Sequence, residues 1–90
     1  MVKNYQIQVL GVVQGVWFRK YTMKAAEDFH LSGFVENRSD GSVYVEAEGE
    51  EVNLRSFLDW LHKGSPLSRV EKVNWKEGSV KPYSKFSISR

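Results

Sequence analysis

The sequence predicts an α+β sandwich in which one antiparallel sheet carries two helices on a single face and gains a short strand at its end. Three observations predict it. Stretches that alternate apolar and polar residues, the period of a strand with one buried face, are interleaved with stretches whose apolar residues recur at helical spacing. Their order along the chain is strand, helix, strand, strand, helix, strand, then one short strand more. Each helix has one apolar stripe to bury, so both pack against the same sheet. The 90 residues, against the roughly 150 of a typical domain, make a single domain over 1–90.

The first strand is marked by Tyr5, Ile7 and Val9 alternating with Gln6 and Gln8. It runs into Gly11-Val12-Val13-Gln14-Gly15, where two flanking glycines let the chain bend sharply. Phe18, Thr22, Ala25 and Phe29 then fall on one face of a helix expected over about 18–30. Gly33–Asn37 and Ser42–Glu48 read as strands, and Asp40-Gly41 between them supplies the positive φ angles of a tight hairpin. Leu54, Phe57, Leu58 and Leu61 set the second helix, with Glu50 and Glu51 at its start and Gly64 just past its end. Ser65-Pro66 breaks the chain. Val73 and Trp75 mark a fourth strand, and Phe86 and Ile88 the last, after Pro82. This order is that of the split βαβ, or ferredoxin-like, arrangement.

Composition removes several functions at once. Hydrophobic residues make up 41% and aromatics 13%, enough bulk to close a core without covalent staples, which argues against disorder. With 0 Cys, disulfide scaffolds, thiolate zinc sites, iron-sulfur clusters and cysteine nucleophiles are excluded. The net charge of +2 is too weak to argue for a nucleic-acid partner. Its distribution says more: residues 1–24 hold Lys3, Arg19, Lys20 and Lys24 with no acid, whereas 25–60 hold nine acids against Arg38 and Arg55. Gln6 and Gln8 interrupt the apolar run that a signal peptide needs, and no run approaches membrane-spanning length, so a cytoplasmic protein is expected. Chain size and the lack of an apolar surface stripe suggest a monomer.

Motif elimination leaves one loop. Gly15 leads into Val-Trp-Phe-Arg rather than the Gly-Lys-Ser/Thr of a nucleotide-binding loop, and no Gly-x-Ser-x-Gly elbow exists. His30 and His62 lie near helix ends without a partner at ligand spacing, so they suit capping rather than a metal. Gln14-Gly15-Val16-Trp17-Phe18-Arg19 joins a strand to a helix N-terminus, where unpaired N–H groups and the helix dipole attract anions. Arg19 and Lys20 sharpen the signal, because cations in a first helical turn are disfavoured unless an anion or acid is held there too. The same residues also fit a plain glycine-bearing connector with Arg19 in solvent or paired to a distant carboxylate. Asn37, at the end of the second strand, suits a turn-forming amide. It also suits a neutral group that orients water beside a phosphate without repelling it.

At these residues the sequence resembles the acylphosphatase family over nearly the whole chain. The family signature Gly-x-Val-Gln-Gly-Val-x-Phe/Tyr-Arg is met without a gap by Gly11-Val12-Val13-Gln14-Gly15-Val16-Trp17-Phe18-Arg19. A second, Gly-aromatic-Val-x-Asn followed by Gly-x-Val and a later Gly, is similar to Gly33-Phe34-Val35-Glu36-Asn37 with Gly41-Ser42-Val43 and Gly49. Gly64-Ser65-Pro66 and Phe86-Ser87-Ile88 are similar to the family's closing segment. Two positions depart: Glu36 stands where a basic or uncharged residue is usual, and His30 where glycine is usual.

The resemblance implies an enzyme that hydrolyses acyl phosphates to a carboxylate and inorganic phosphate. It implies that the backbone amides from Gln14 to Arg19 and the Arg19 guanidinium hold the phosphate, and that Asn37 orients the attacking water. An acyl phosphate already carries a carboxylate leaving group, so a site without His, Asp or Glu suffices if it positions and stabilises charge. Val13 stands six residues before Arg19, where a thiol phosphatase would place its nucleophile, so direct in-line attack by water is expected, with the phosphate's own oxygen as proton acceptor. No metal or cofactor is expected, because Arg19 and the amides supply the donors. The partner is then a small-molecule acyl phosphate, with no nucleic acid or membrane. The competing reading is a non-catalytic module of the same fold, binding an anion through the loop or RNA through sheet aromatics such as Tyr44. Against RNA, Glu36, Glu46 and Glu48 are expected on the sheet face away from the helices, where carboxylates repel a phosphate backbone.

Overall fold

In the computed structural model, which describes residues 1–89, the chain forms β1 (Val2–Val12), α1 (Phe18–Asp28), β2 (Ser32–Asn37), β3 (Val43–Glu50), α2 (Glu51–Lys63), β4 (Arg69–Gly78) and β5 (Phe86–Ile88). The strands lie in one sheet in the order β4-β1-β3-β2-β5. α1 covers β2 and β5, and α2 covers β1, β3 and β4. This is the ferredoxin-like α+β sandwich read from the sequence.

Period-2 burial sets the core. Tyr5, Ile7 and Val9 of β1, Val43, Val45 and Ala47 of β3 and Val35 of β2 point to the helices and are inaccessible to solvent. Phe18, Thr22, Ala25 and Ala26 of α1 and Leu54, Phe57, Leu58 and Leu61 of α2 meet them. α1 is two residues shorter than its sequence pattern suggests. It stops at Asp28 because His30 takes φ 59°, and the Leu31 and His30 N–H groups donate to the carbonyls of Ala26 and Glu27 at 2.8 and 3.0 Å. That is the Schellman closure, built on histidine instead of glycine. β1 is kinked by a register shift against β4 between Leu10 and Gly11. There Gly11 has φ +132°, and a Cβ would lie 2.1 Å from the Arg69 carbonyl oxygen, so only glycine lets the two backbones approach.

The short C-terminal strand, expected from the sequence without a direction, does not continue the antiparallel pairing of its neighbours. β4, β1, β3 and β2 alternate in direction, but β5 runs parallel to β2, pairing Gly33 with Phe86 and Val35 with Ile88. The cause is parity. β4 and β2 are three antiparallel steps apart and therefore opposed, and the chain reverses after Gly78, so it returns in the direction of β2.

To get there, residues 79–85 cross the sheet face away from the helices. Glu46 and Glu48 do project from that face, as their alternation requires, yet they are 4% and 3% exposed because this strap covers them. Glu48 accepts from the backbone N–H groups of Lys81 (2.6 Å) and Tyr83 (3.0 Å) and from Asn4 Nδ2 (2.8 Å). Glu46 accepts from Asn4 Nδ2 at 3.0 Å, from the Tyr83 hydroxyl at 3.1 Å and from the Lys81 ammonium. Two buried carboxylates are tolerated because both are fully engaged.

Candidate active site

Val13 to Trp17 connect β1 to α1. Val13 is 1% exposed and pins the start of the connection to the core. Gln14 reaches across to the β2–β3 hairpin, its Nε2 donating to the carbonyls of Arg38 (2.7 Å) and Ser42 (2.8 Å). The hairpin is itself closed by Arg38 N–H to the Ser42 carbonyl and by the Asp40 carboxylate, which accepts from the Ser42 N–H and hydroxyl. These two bonds hold the Asp40 carboxyl below its usual range. The Gln14 side chain is therefore a tether between loop and hairpin.

Beyond the tether the backbone alternates in handedness. Gly15 has φ 74° and Trp17 φ 62°, ψ 16°, while Val16 between them and Phe18 after them have negative φ. Successive residues of opposite hand turn their N–H groups toward one concavity, an anion nest. At Gly15 a Cβ would meet nothing within 4 Å, so the need for glycine is purely conformational. Trp17 meets the same demand without that freedom, at a cost of roughly 1–3 kcal/mol. The nest opens directly onto the N-terminus of α1, which has no side-chain cap and no acid in its first turn. Its leading N–H groups are left for a ligand.

A concavity of about 840 Å³ lies there, lined by Val13, Gly15, Trp17, Phe18, Arg19, Lys20 and Ile88. Arg19 is half-buried in its wall and has no ion-pair partner among the described residues. Four of the loop residues singled out in the sequence, Gly15, Trp17, Phe18 and Arg19, line it. Gln14 is the tether, and Val16 packs against the core instead.

Asn37 is brought to the same end of the sheet. It sits in one row with Val43 and Val9, across β2, β3 and β1, just below the point where β1 gives way to the loop. It shares the helix-facing side of β2 with Val35, whose partner Ile88 lines the concavity. Its Oδ1 is buried and has no hydrogen-bond partner among the described residues. A turn-forming amide would spend that oxygen on the hairpin; here the hairpin is closed by Asp40 and Gln14 instead. Lys20, which sharpens the anion signal in the sequence, lines the concavity too, whereas Ile88 escaped the sequence reading of the site. Nothing local to Phe86–Ile88 shows that the last strand of the chain closes this wall.

Of the two departures from the family pattern, Glu36 pairs with Arg38 Nε at 2.9 Å on the far face, and His30 occupies the left-handed helix end. Tyr44 is no open platform for bases. The Arg38 guanidinium lies 4.2 Å from its ring centroid, and its hydroxyl donates to Glu46 at 3.2 Å. Burial, with the Glu46 charge and this bond, pushes the Tyr44 hydroxyl up to about 12.

The acylphosphatase family profile matches residues 5–88. An acylphosphatase of Mannheimia succiniciproducens is 50% identical over 84 residues, covering 92% of this chain and 93% of the relative. The crystal structure of acylphosphatase from Bacillus subtilis superposes with a TM-score of 0.95 at 41% identity, over all of both chains. An acylphosphatase structure from Coxiella burnetii superposes equally well, with a TM-score of 0.95 at 39% identity over 98% of this chain and 93% of that one. A loop signature met without a gap, a fold shared end to end and a profile that spans the sheet and both helices agree: the chain belongs to the acylphosphatase family.

Proposed function

We propose that the chain hydrolyses acyl phosphates to a carboxylate and inorganic phosphate, with the phosphoryl group held by the nest and Arg19 and the water oriented by Asn37. The observation that carries this reading is the reversal of backbone hand at Gly15 and Trp17 immediately ahead of the uncapped α1 N-terminus, beside an arginine with no ion-pair partner among the described residues. The loop amides and the planar guanidinium form a fork of donors to the phosphoryl oxygens, where charge builds in the transition state. The buried Asn37 Oδ1 accepts a hydrogen bond from the water and aims its lone pair at phosphorus, opposite the departing carboxylate. The leaving group needs no proton, and a phosphoryl oxygen takes the one that water releases.

On this reading the chain is one domain that needs no metal or cofactor, since its own donors do the work of charge stabilisation. It acts as a monomer on a small molecule rather than on nucleic acid. The strap that covers Glu46 and Glu48 supports the last point, because it occupies the face on which a base would stack. An acyl phosphate is a dianion at neutral pH that does not cross a bilayer unaided, which supports a cytoplasmic site of action. No helix among the described residues is long and apolar enough to span a membrane.

The test is to follow the absorbance of a synthetic aromatic acyl phosphate with and without EDTA, and to titrate inorganic phosphate. Turnover unaffected by EDTA and competitive inhibition by phosphate are expected. Activity lost to EDTA and restored by a divalent cation would overturn metal independence, and noncompetitive inhibition would place the anion elsewhere.

A further inference from the structure

Trp17 stands out because the fold does not account for it. Its backbone is left-handed, a conformation that its neighbour Gly15 adopts freely and an indole does not. Its side chain is 67% exposed, so packing returns little for that strain. The indole instead separates two concavities. One is the anion-binding site; the other is a groove of about 580 Å³ that follows α1 and is lined by Trp17, Lys20, Tyr21, Met23, Lys24 and Glu27. Trp17 and Lys20 belong to both, and the Lys20 ammonium lies 5.5 Å from the indole centroid. The aromatic surface continues along the helix into Tyr21, which is 44% exposed.

The occupant of this groove follows from covalent connection. In an acyl phosphate the carbonyl carbon joins phosphorus through a single oxygen, so a phosphoryl group in the nest delivers the acyl substituent to the rim of its cavity. Trp17 and Lys20 form that rim. We propose that the groove from Trp17 to Glu27 is the acyl-group subsite, and that Trp17 and Tyr21 set specificity by favouring aromatic acyl phosphates over small aliphatic ones. The inference rests on the reading of the loop as the phosphate cradle. An aromatic acyl group stacks on the indole and phenol, while a methyl group is too short to reach past the rim.

Compare benzoyl phosphate with acetyl phosphate as substrates for the parent, Trp17→Gly, Trp17→Phe and Tyr21→Ala. Glycine relieves the left-handed strain and alanine is the best helix former, so both variants are expected to fold, which circular dichroism checks. The ratio of kcat/KM for benzoyl over acetyl phosphate should fall about three- to tenfold in Trp17→Gly and by a smaller factor in Tyr21→Ala, with Trp17→Phe recovering most of it. The change should sit in KM for benzoyl phosphate. An unchanged ratio in both truncations, with phosphate still a competitive inhibitor, overturns the subsite and leaves the cradle standing. Loss of competitive inhibition by phosphate in the parent overturns the cradle and the subsite together.

Discussion

Trp17 and His30 are the two residues besides glycine that take positive φ among those described, and they close the two ends of α1. The strain at Trp17 sits at the site, whereas His30 does only what glycine does at a helix end. His30→Gly should therefore stabilise the fold by about 1 kcal/mol, seen as a higher urea midpoint at unchanged m. The roles proposed for Arg19 and Asn37 separate by what each variant loses. Arg19→Lys replaces a planar fork with a point charge, and should weaken phosphate binding at least about tenfold, because each charge-assisted bond is worth roughly 1.5–3 kcal/mol. Asn37→Ala should leave phosphate binding in place and lower kcat about a hundredfold to a thousandfold, the usual range for one positioned polar group. A variant of Asn37 that is destabilised yet turns over at the parent rate would make the amide a turn former only. Residue identity was enough to single out both groups, because Arg19 and Asn37 each end a short local motif, Gly11–Arg19 and Gly33–Asn37. It was not enough to divide the loop into lining, tether and plug, since Gln14 finds its partners 24 and 28 residues away.

At the scale of elements, the strap over residues 79–85 is the part that the sequence hid. Alternation correctly put Glu46 and Glu48 on the face away from the helices, but their burial is imposed by groups 33 to 37 residues further on, in a stretch without periodicity. Burial alone would push the Glu46 carboxyl up; donors from Lys81, Asn4 and Tyr83, with the Lys81 charge, outweigh it and leave it below its ordinary value. The same pairing raises Lys81, against a smaller opposing effect of desolvation. A depressed carboxyl stabilises the fold fully above the unfolded glutamate pKa, about 4.3, and that contribution fades as pH falls through the folded value. A raised lysine contributes fully below its unfolded pKa, about 10.4, and fades as pH climbs through its folded one. Urea midpoints should accordingly fall on both sides of a neutral plateau. In Glu46→Gln the acid limb should be shallower and the plateau lower. Glu48→Gln faces an amide NH₂ toward backbone donors, and should cost about 2–3 kcal/mol at pH 7 by chemical denaturation.

For the whole molecule, element order and the single helix-covered face were legible because both follow from apolar periodicity. The direction of β5 was not, since it depends on how many strands separate β4 from β2, which no local pattern records. The resulting order leaves the outer side of β4 unpaired, along a ten-residue strand. Main-chain donors and acceptors there are a template on which a second copy could add, the route by which sheets grow into fibrils. Arg69, Glu71, Lys72, Lys76 and Glu77 all stand exposed on that strand, so two copies cannot zip together without desolvating charges of both signs. Replacing Glu71, Lys72, Lys76 and Glu77 together with threonine keeps the net charge at +2 and, apart from the Lys3–Glu77 ion pair at 3.6 Å, removes only this guard. The substituted protein should scatter light and bind thioflavin T under conditions in which the parent stays monodisperse. Charges that contribute nothing to the catalytic site are, in that sense, what keeps a small open-edged sheet colloidally stable at the concentration of a working enzyme.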